Sequence, residues 1–593
     1  MNNFVSLQLP LFLVLLYSQC AVGSAGNVLT FPLLHEDSVK ERILLESENS
    51  SSSSSASQRR QLMRQKASPQ TIPMYQGYGT FYVDIYVGSP RPQRQTVFVD
   101  TGSESIGFPC SGCIDCGDAH TDEHFDPLQS DTFHQLTCSE CYKGKCSFNQ
   151  DTCHVRSSYV EGSSWTGSEV QDYIYPGGPH DEALNVVDKS PENDDDDAFS
   201  GANPENAVKY RFPLKFTCME SNDSAFKDQL ADGIMGLGLK KASFWRQMYN
   251  EGAIEKQQFS MCLRKHPFTP LTARTRAVGV LTLGGVDDRL QSSDMIFMDY
   301  TDSNNGLYNV HIRRIYVHPS GGQRLAGDSP DVDLSRGGTF LVDTDESIIE
   351  YPVVLDSGTT DTILPADLKP ALDQIWEQMM SMPFPTEPIS ISPEELRGWP
   401  TIIFQMKGSP YVTSTFDLTK RNGKAGILDE QHPDDVLVAF PPSHYMMLDP
   451  TTKEYLPRLK MHDDYGGSIL GQNFMRGHNI LFDVDNRQIG IAESDCDYEY
   501  LVTGEPIEFI DPYASIEELT DLIRQGICEA RPMACQLEQI AKILGCATWA
   551  ILTFMIVGSV FQMYNGHNEE CQNEEGDEYK EMHKLLIKNS GEF

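Results

Sequence analysis

The chain has 593 residues, with 46 Lys and Arg against 85 Asp and Glu, and a formal net charge of −39. That balance argues against nucleic-acid binding, which needs a cationic face, and favours basic partners at low ionic strength. The length is enough for a large core in two or more compact units plus appendages.

The first predicted element is a signal peptide over 1–23. Residues 7–16 form a nearly unbroken apolar run, and small residues follow at Ala21, Gly23, Ser24 and Ala25, although no Lys or Arg precedes the run. Residues 24–74 read as a propeptide. A serine run at 50–55 cannot build a core, and a basic cluster follows at Arg59, Arg60, Arg64 and Lys66. The cluster could cover acidic groups of a cleft until removed, or mark a dibasic cleavage point in a linker.

From Gly79 short strands begin. Thr80-Phe81-Tyr82-Val83-Asp84-Ile85-Tyr86-Val87 leads to a Gly88-Ser89-Pro90 turn and then to Val97-Phe98-Val99-Asp100-Thr101-Gly102-Ser103. The last heptad has a near copy at Val353-Val354-Leu355-Asp356-Ser357-Gly358-Thr359. In each, a buried strand ends in one carboxylate, a glycine permits a tight turn, and two hydroxyl residues can donate hydrogen bonds. A single copy is as readily an ordinary turn. Two copies point to two related lobes that bring Asp100 and Asp356 to one cleft. Paired carboxyls hold a single proton over a wide pH range, so one acid can polarise a peptide carbonyl while the other activates water. Such hydrolysis requires no metal and no cofactor. Val342-Asp343-Thr344-Asp345 lacks the glycine and reads as loop.

Further segments carry a resemblance. Ala231-Asp232-Gly233-Ile234-Met235-Gly236-Leu237-Gly238, Ser468-Ile469-Leu470-Gly471-Gln472-Asn473-Phe474, Phe482-Asp483 and Ile489-Gly490-Ile491-Ala492 follow in order. With the two heptads, the chain from about Tyr75 to Asp497 resembles the pepsin-like aspartic proteases. The resemblance implies an all-β, bilobal pepsin-like fold, with a first lobe over 75–240 and a second over 241–497. It makes Asp100 and Asp356 the dyad. Thr101 and Ser357 would cross-link the two loops, Gly102 and Gly358 form the turns, and Ser103 and Thr359 bond the outer carboxylate oxygens. The flap tyrosine would be Tyr159. Many relatives have a tryptophan shortly after the first aspartate, where this chain has Gly107-Phe108. Trp165 could supply that indole donor or simply pack.

Cysteines 110, 113, 116, 138, 141, 146 and 153 form a Cys-rich insertion over 110–153. The Cys-x-x-Cys-x-x-Cys spacing beside His120 and His124 could suggest zinc, but a secreted context favours disulfides, so no metal is expected. The insertion is similar to that of plasmepsin V-like membrane-anchored proteases of protists. That narrower resemblance implies that Glu123 and Glu161 recognise an arginine upstream of the scissile bond, in an Arg-x-Leu type motif. Two carboxylates can hold a guanidinium bidentately, although both could equally be solvated surface groups. Because seven is odd, at least one of the insertion cysteines must pair elsewhere or stay free, and Cys218 is the expected partner. By the same resemblance Cys262 pairs with Cys496, which leaves Cys528 and Cys535 for each other.

An acid-rich loop spans 175–208, and its block of like charges reads as a solvated loop rather than a calcium site. Asn49 and Asn222 begin possible glycosylation sequons. Residues 498–542 read as a membrane-proximal stalk. Residues 543–564 carry no charge and are long enough, at ~1.5 Å per residue, to cross a bilayer as a helix. The remaining 565–593 would be a cytoplasmic tail, with Tyr579-Lys580-Glu581-Met582 and a Leu585-Leu586 pair resembling sorting signals for adaptors.

The expectation is a single-pass type I membrane protein of the secretory pathway (ER, Golgi or endosome), with a lumenal or extracellular aspartic endopeptidase. Its substrates would be proteins or peptides with basic residues near the cleavage site. The alternative is a catalytically silent pepsin-like receptor or binding ectodomain.

Overall fold

The computed structural model describes residues 69–504, apart from 78, 118–119, 161, 178–210, 224, 265–276, 303–304, 320–338, 343–351, 410–422, 450–451 and 463–466. All of these lie within one compact unit, 55–593. The predicted signal peptide, most of the propeptide, the core of the acidic loop, most of the stalk, the 543–564 span, the tail, Asn49, Glu161, Cys528 and Cys535 lie outside the described residues. Among the described residues no helix is long and apolar enough to cross a membrane.

Among the described residues strands dominate, joined by short helices, the longest being Lys369–Met380. Two lobes meet on a shared antiparallel sheet. In it Gln70–Gln76 pairs with Gly279–Leu283, which pairs with Gln258–Leu263, followed by His478–Asp483, Gln488–Glu493 and Ile296–Asp302. The end of Gln70–Gln76 also pairs with Phe81–Val87, so this one strand feeds the first lobe as well.

Each lobe builds its aspartate strand in the same way. Gln93–Asp100 runs parallel to Gly233–Gly236, with Asp100 opposite Gly236, and Ile106–Pro109 returns antiparallel to the latter. Val353–Leu355 runs parallel to Ser468–Leu470, with Leu355 opposite Leu470, and Thr362–Leu364 returns antiparallel. A central strand covered on both faces needs apolar residues at every position, so neither run alternates with polar residues. The period of two still sorts them. Val97 and Val99 enter the main core, whereas Phe98 enters a satellite cluster with Tyr82, Val155, Trp165, Met219 and Phe226.

Disulfides join Cys110 to Cys218, Cys113 to Cys116, Cys138 to Cys146, Cys141 to Cys153 and Cys262 to Cys496. No group of His, Cys, Asp and Glu among the described residues could hold a metal ion. Asn222 is buried and its Nδ2 donates to the Cys116 carbonyl at 3.2 Å.

Candidate active site

The two aspartate turns lock together through their hydroxyls. Thr101 Oγ1 donates to the Leu355 carbonyl and Ser357 Oγ donates to the Val99 carbonyl, both at 2.9 Å. In return the Thr101 N–H donates to Ser357 Oγ at 3.0 Å, and the Ser357 N–H to Thr101 Oγ1 at 2.9 Å. Each hydroxyl gives one bond and takes one, and both residues are fully buried. A buried lattice with every donor used is rigid, because breaking any member strands a polar group in the interior.

Above the lattice sit the carboxyls. The Gly102 N–H donates to Asp100 Oδ1 and the Gly358 N–H to Asp356 Oδ1, both at 2.8 Å. Thr359 Oγ1 donates to Asp356 Oδ2 at 2.6 Å. The Ser103 Oγ is buried without a hydrogen bond of good geometry, yet it lies close enough to lower the Asp100 pKa. The outer contacts of the two turns are therefore unequal, unlike their cross-link. The glycines show how tightly the loops interleave. A Cβ on Gly102 would lie 2.6 Å from Asp356 Oδ1, and one on Gly358 would collide with Asp100 Oδ1. Burial first, and the adjacent Asp356 carboxyl second, push the Asp100 pKa well above the ordinary carboxylate range.

A hairpin of the first lobe is formed by Thr152–Ser158 and Ser164–Pro176, with Ser158 opposite Ser164. Its tip carries Tyr159, packed on Phe226 with ring centres 5.3 Å apart. Trp165 Nε1 donates to the Tyr159 hydroxyl at 3.1 Å. The tryptophan is fully buried and belongs to the returning strand of the same hairpin. Phe108 cannot take that role. It lies in the main core, stacked on Phe216 at 4.7 Å. Val160 at the tip is exposed. Glu123 is exposed too, and its backbone carbonyl accepts from Gln95 Nε2 at 2.9 Å. Its proposed partner Glu161 is outside the described residues.

Two interlocked aspartate turns, each at the end of a buried strand, are the arrangement of the bilobal aspartic protease class. Residues 214–494 match the family model for eukaryotic aspartyl proteases, and residues 81–285 match one described as xylanase inhibitor N-terminal. The chain belongs to the pepsin-like aspartic proteases. It is 28% identical to aspartic protease 5 of Toxoplasma gondii over 36% of this chain and 20% of that protein. It is 26% identical to plasmepsin V of Plasmodium falciparum over 40% of this chain and 35% of that protein. Similarity to aspartyl protease family protein 1 of Arabidopsis thaliana reaches 26% over 70% of this chain and 67% of that protein. The chain thus spans about a fifth and about a third of the two protist relatives.

Proposed function

We propose that the chain is a membrane-anchored aspartic endopeptidase of the secretory pathway that cleaves extended segments of secretory or exported proteins. The observation that carries this reading is the interlock of the Asp100 and Asp356 turns, with Asp100 raised in pKa by burial beside its partner. Asp100 then holds the shared proton and donates it toward the scissile carbonyl. Asp356, fixed by the Gly358 N–H and Thr359, takes the proton of the attacking water. Tyr159, braced by Trp165, closes over the substrate and excludes bulk water. The expelled amine recovers a proton from the dyad, and no covalent intermediate forms.

Anchoring rests on the charge-free 543–564 segment and the lumenal orientation on the signal-like start. Selectivity for an upstream arginine rests on Glu123 and Glu161 and on similarity to plasmepsin V. Cleavage of a peptide library by the full chain, beside Asp100→Ala, tests the activity. Loss of all cleavage in the variant is expected, and equal cleavage overturns the dyad. A fluorogenic pair differing only in Arg or Ala at the upstream position tests selectivity; equal turnover of the two, or no loss on Glu161→Ala, rejects it. The match to a model named for a xylanase inhibitor favours a silent, binding-only reading. Retention of both aspartates weighs against it, and the same library assay separates the two.

A further inference from the structure

The Cys-rich insertion does more than decorate the first lobe. Its central turn, Cys141-Tyr142-Lys143-Gly144, sits on the buried Glu169 carboxylate, which accepts from three successive N–H groups. Those of Tyr142 and Lys143 lie at 2.8 Å and that of Gly144 at 3.1 Å. Three donors on one carboxylate compensate its burial and fix the turn in place. Glu169 belongs to the returning flap strand. The Cys141–Cys153 bond ties the turn to the outgoing flap strand, and Cys138–Cys146 closes its base. Tyr142 adds a hydrogen bond from its hydroxyl to the Lys241 carbonyl at 2.6 Å.

From this platform the half-buried Lys143 side chain reaches the loop that follows Asp100. Its ammonium donates to Ser105 Oγ and lies 3.3 Å from Glu104 Oε1. Lys240 approaches the same Glu104 oxygen at 3.8 Å. Ser105 is buried, and its carbonyl accepts from the Gly236 N–H at 2.9 Å. The carbonyls of Ser103 and Asp100 accept from the Gly238 and Leu237 N–H groups, each at 2.7 Å. The Asp100 loop is therefore held from one side by the 236–238 backbone and from the other by one cation of the insertion.

We propose that Lys143 is a positioning residue for Asp100, coupling the disulfide-stapled insertion and both flap strands to the catalytic loop. The inference rests on the dyad reading above. Loss of the ammonium frees Ser105 and lets the loop relax without touching substrate. It therefore lowers kcat and leaves KM unchanged, the pattern of an interaction felt only in the transition state. A sub-ångström shift of the carboxyl corresponds to a loss of about 10-fold.

The test measures kcat and KM per active site for the full chain and for Lys143→Met, Lys143→Arg, Ser105→Ala and the Lys143→Met/Ser105→Ala double variant, with Asp100→Asn alongside. Expected are a kcat about 10-fold lower for Lys143→Met and recovery by Lys143→Arg. The double variant should be no worse than Lys143→Met, because the bond to Ser105 is already lost there. Wild-type kcat in Lys143→Met with an inactive Asp100→Asn overturns the positioning role alone, as do multiplicative losses in the double variant. If Lys143→Met does not fold, Ser105→Ala carries the same comparison, and its wild-type kcat overturns the proposal. Full activity in Asp100→Asn overturns the dyad reading instead.

Discussion

Gly102 is the most exposing place to perturb the site, because no side chain there touches substrate or carries a charge. A methyl group at this position would sit 2.6 Å from Asp356 Oδ1, 2.7 Å from Cγ and 2.8 Å from Oδ2. Comfortable carbon contacts begin near ~3.5 Å, so the Asp356 carboxyl must retreat by roughly 0.9 Å or the two turns must part. The hydroxyl lattice beneath resists parting, since that would break all four bonds between Thr101, Ser357 and the opposite turns. The displacement therefore falls on the carboxyl. Misplacing a reacting group by about 1 Å costs on the order of 100-fold in rate. Gly102→Ala is expected to lose about that much kcat on a fluorogenic peptide while remaining folded by its melting transition. Gly467→Ala, where a Cβ meets nothing within 4 Å, should match the wild type. A Gly102→Ala enzyme with unaltered kcat would refute the interleaved geometry.

Three other outcomes follow from the same contacts. Trp165→Phe removes the indole donor to Tyr159, and a hydrogen bond worth about 1 kcal/mol should appear as a roughly 5-fold fall in kcat/KM; unchanged kinetics would reduce Trp165 to packing. Burial, opposed by Arg94 and reinforced by Asp122, raises the Asp84 pKa to about 6. The native state then binds more protons than the unfolded chain between about pH 4 and 6. This group's contribution is present below about pH 4 and lost as pH rises through about 6. Asp84→Asn should narrow the difference in melting temperature between pH 5 and pH 7.5, and an undiminished difference counts against the assignment. Replacing both Cys262 and Cys496 by Ala opens a link between residues 234 positions apart and should cost about 2–5 kcal/mol in denaturant titrations, whereas an unmoved midpoint would contradict that link.

The parts of this fold that are legible in the sequence are those whose physics is local. An apolar run, one acid, a hydroxyl and a glycine specify a strand and its turn, so Asp100 and Asp356 stand out without any knowledge of the lobes. The Trp165 donor is nearly local as well, because a hairpin brings it back to Tyr159 six residues away. Long-range pairing is not written this way. Nothing in the spacing of the seven insertion cysteines says that Cys110 rather than a neighbour bonds Cys218, or that Cys146 bonds Cys138 although it faces Cys153 across the ladder. Burial is equally silent at Asn222, where the sequon is intact but the amide points into the protein. The reach of Lys143 to Ser105 depends on Glu169 collecting three N–H groups from a turn some 25 residues earlier. No motif encodes such a contact.

The direct measurement of the central claim is the rate of peptide-bond hydrolysis by Asp356→Asn against the wild type, followed from pH 4 to 8. Asparagine keeps the shape but cannot take a proton, so a loss of at least about 100-fold is expected at every pH. Wild-type turnover should itself decline as rising pH strips the proton that burial and Asp356 hold on Asp100. An Asp356→Asn protein that hydrolyses peptides at the wild-type rate would contradict the shared-proton dyad outright.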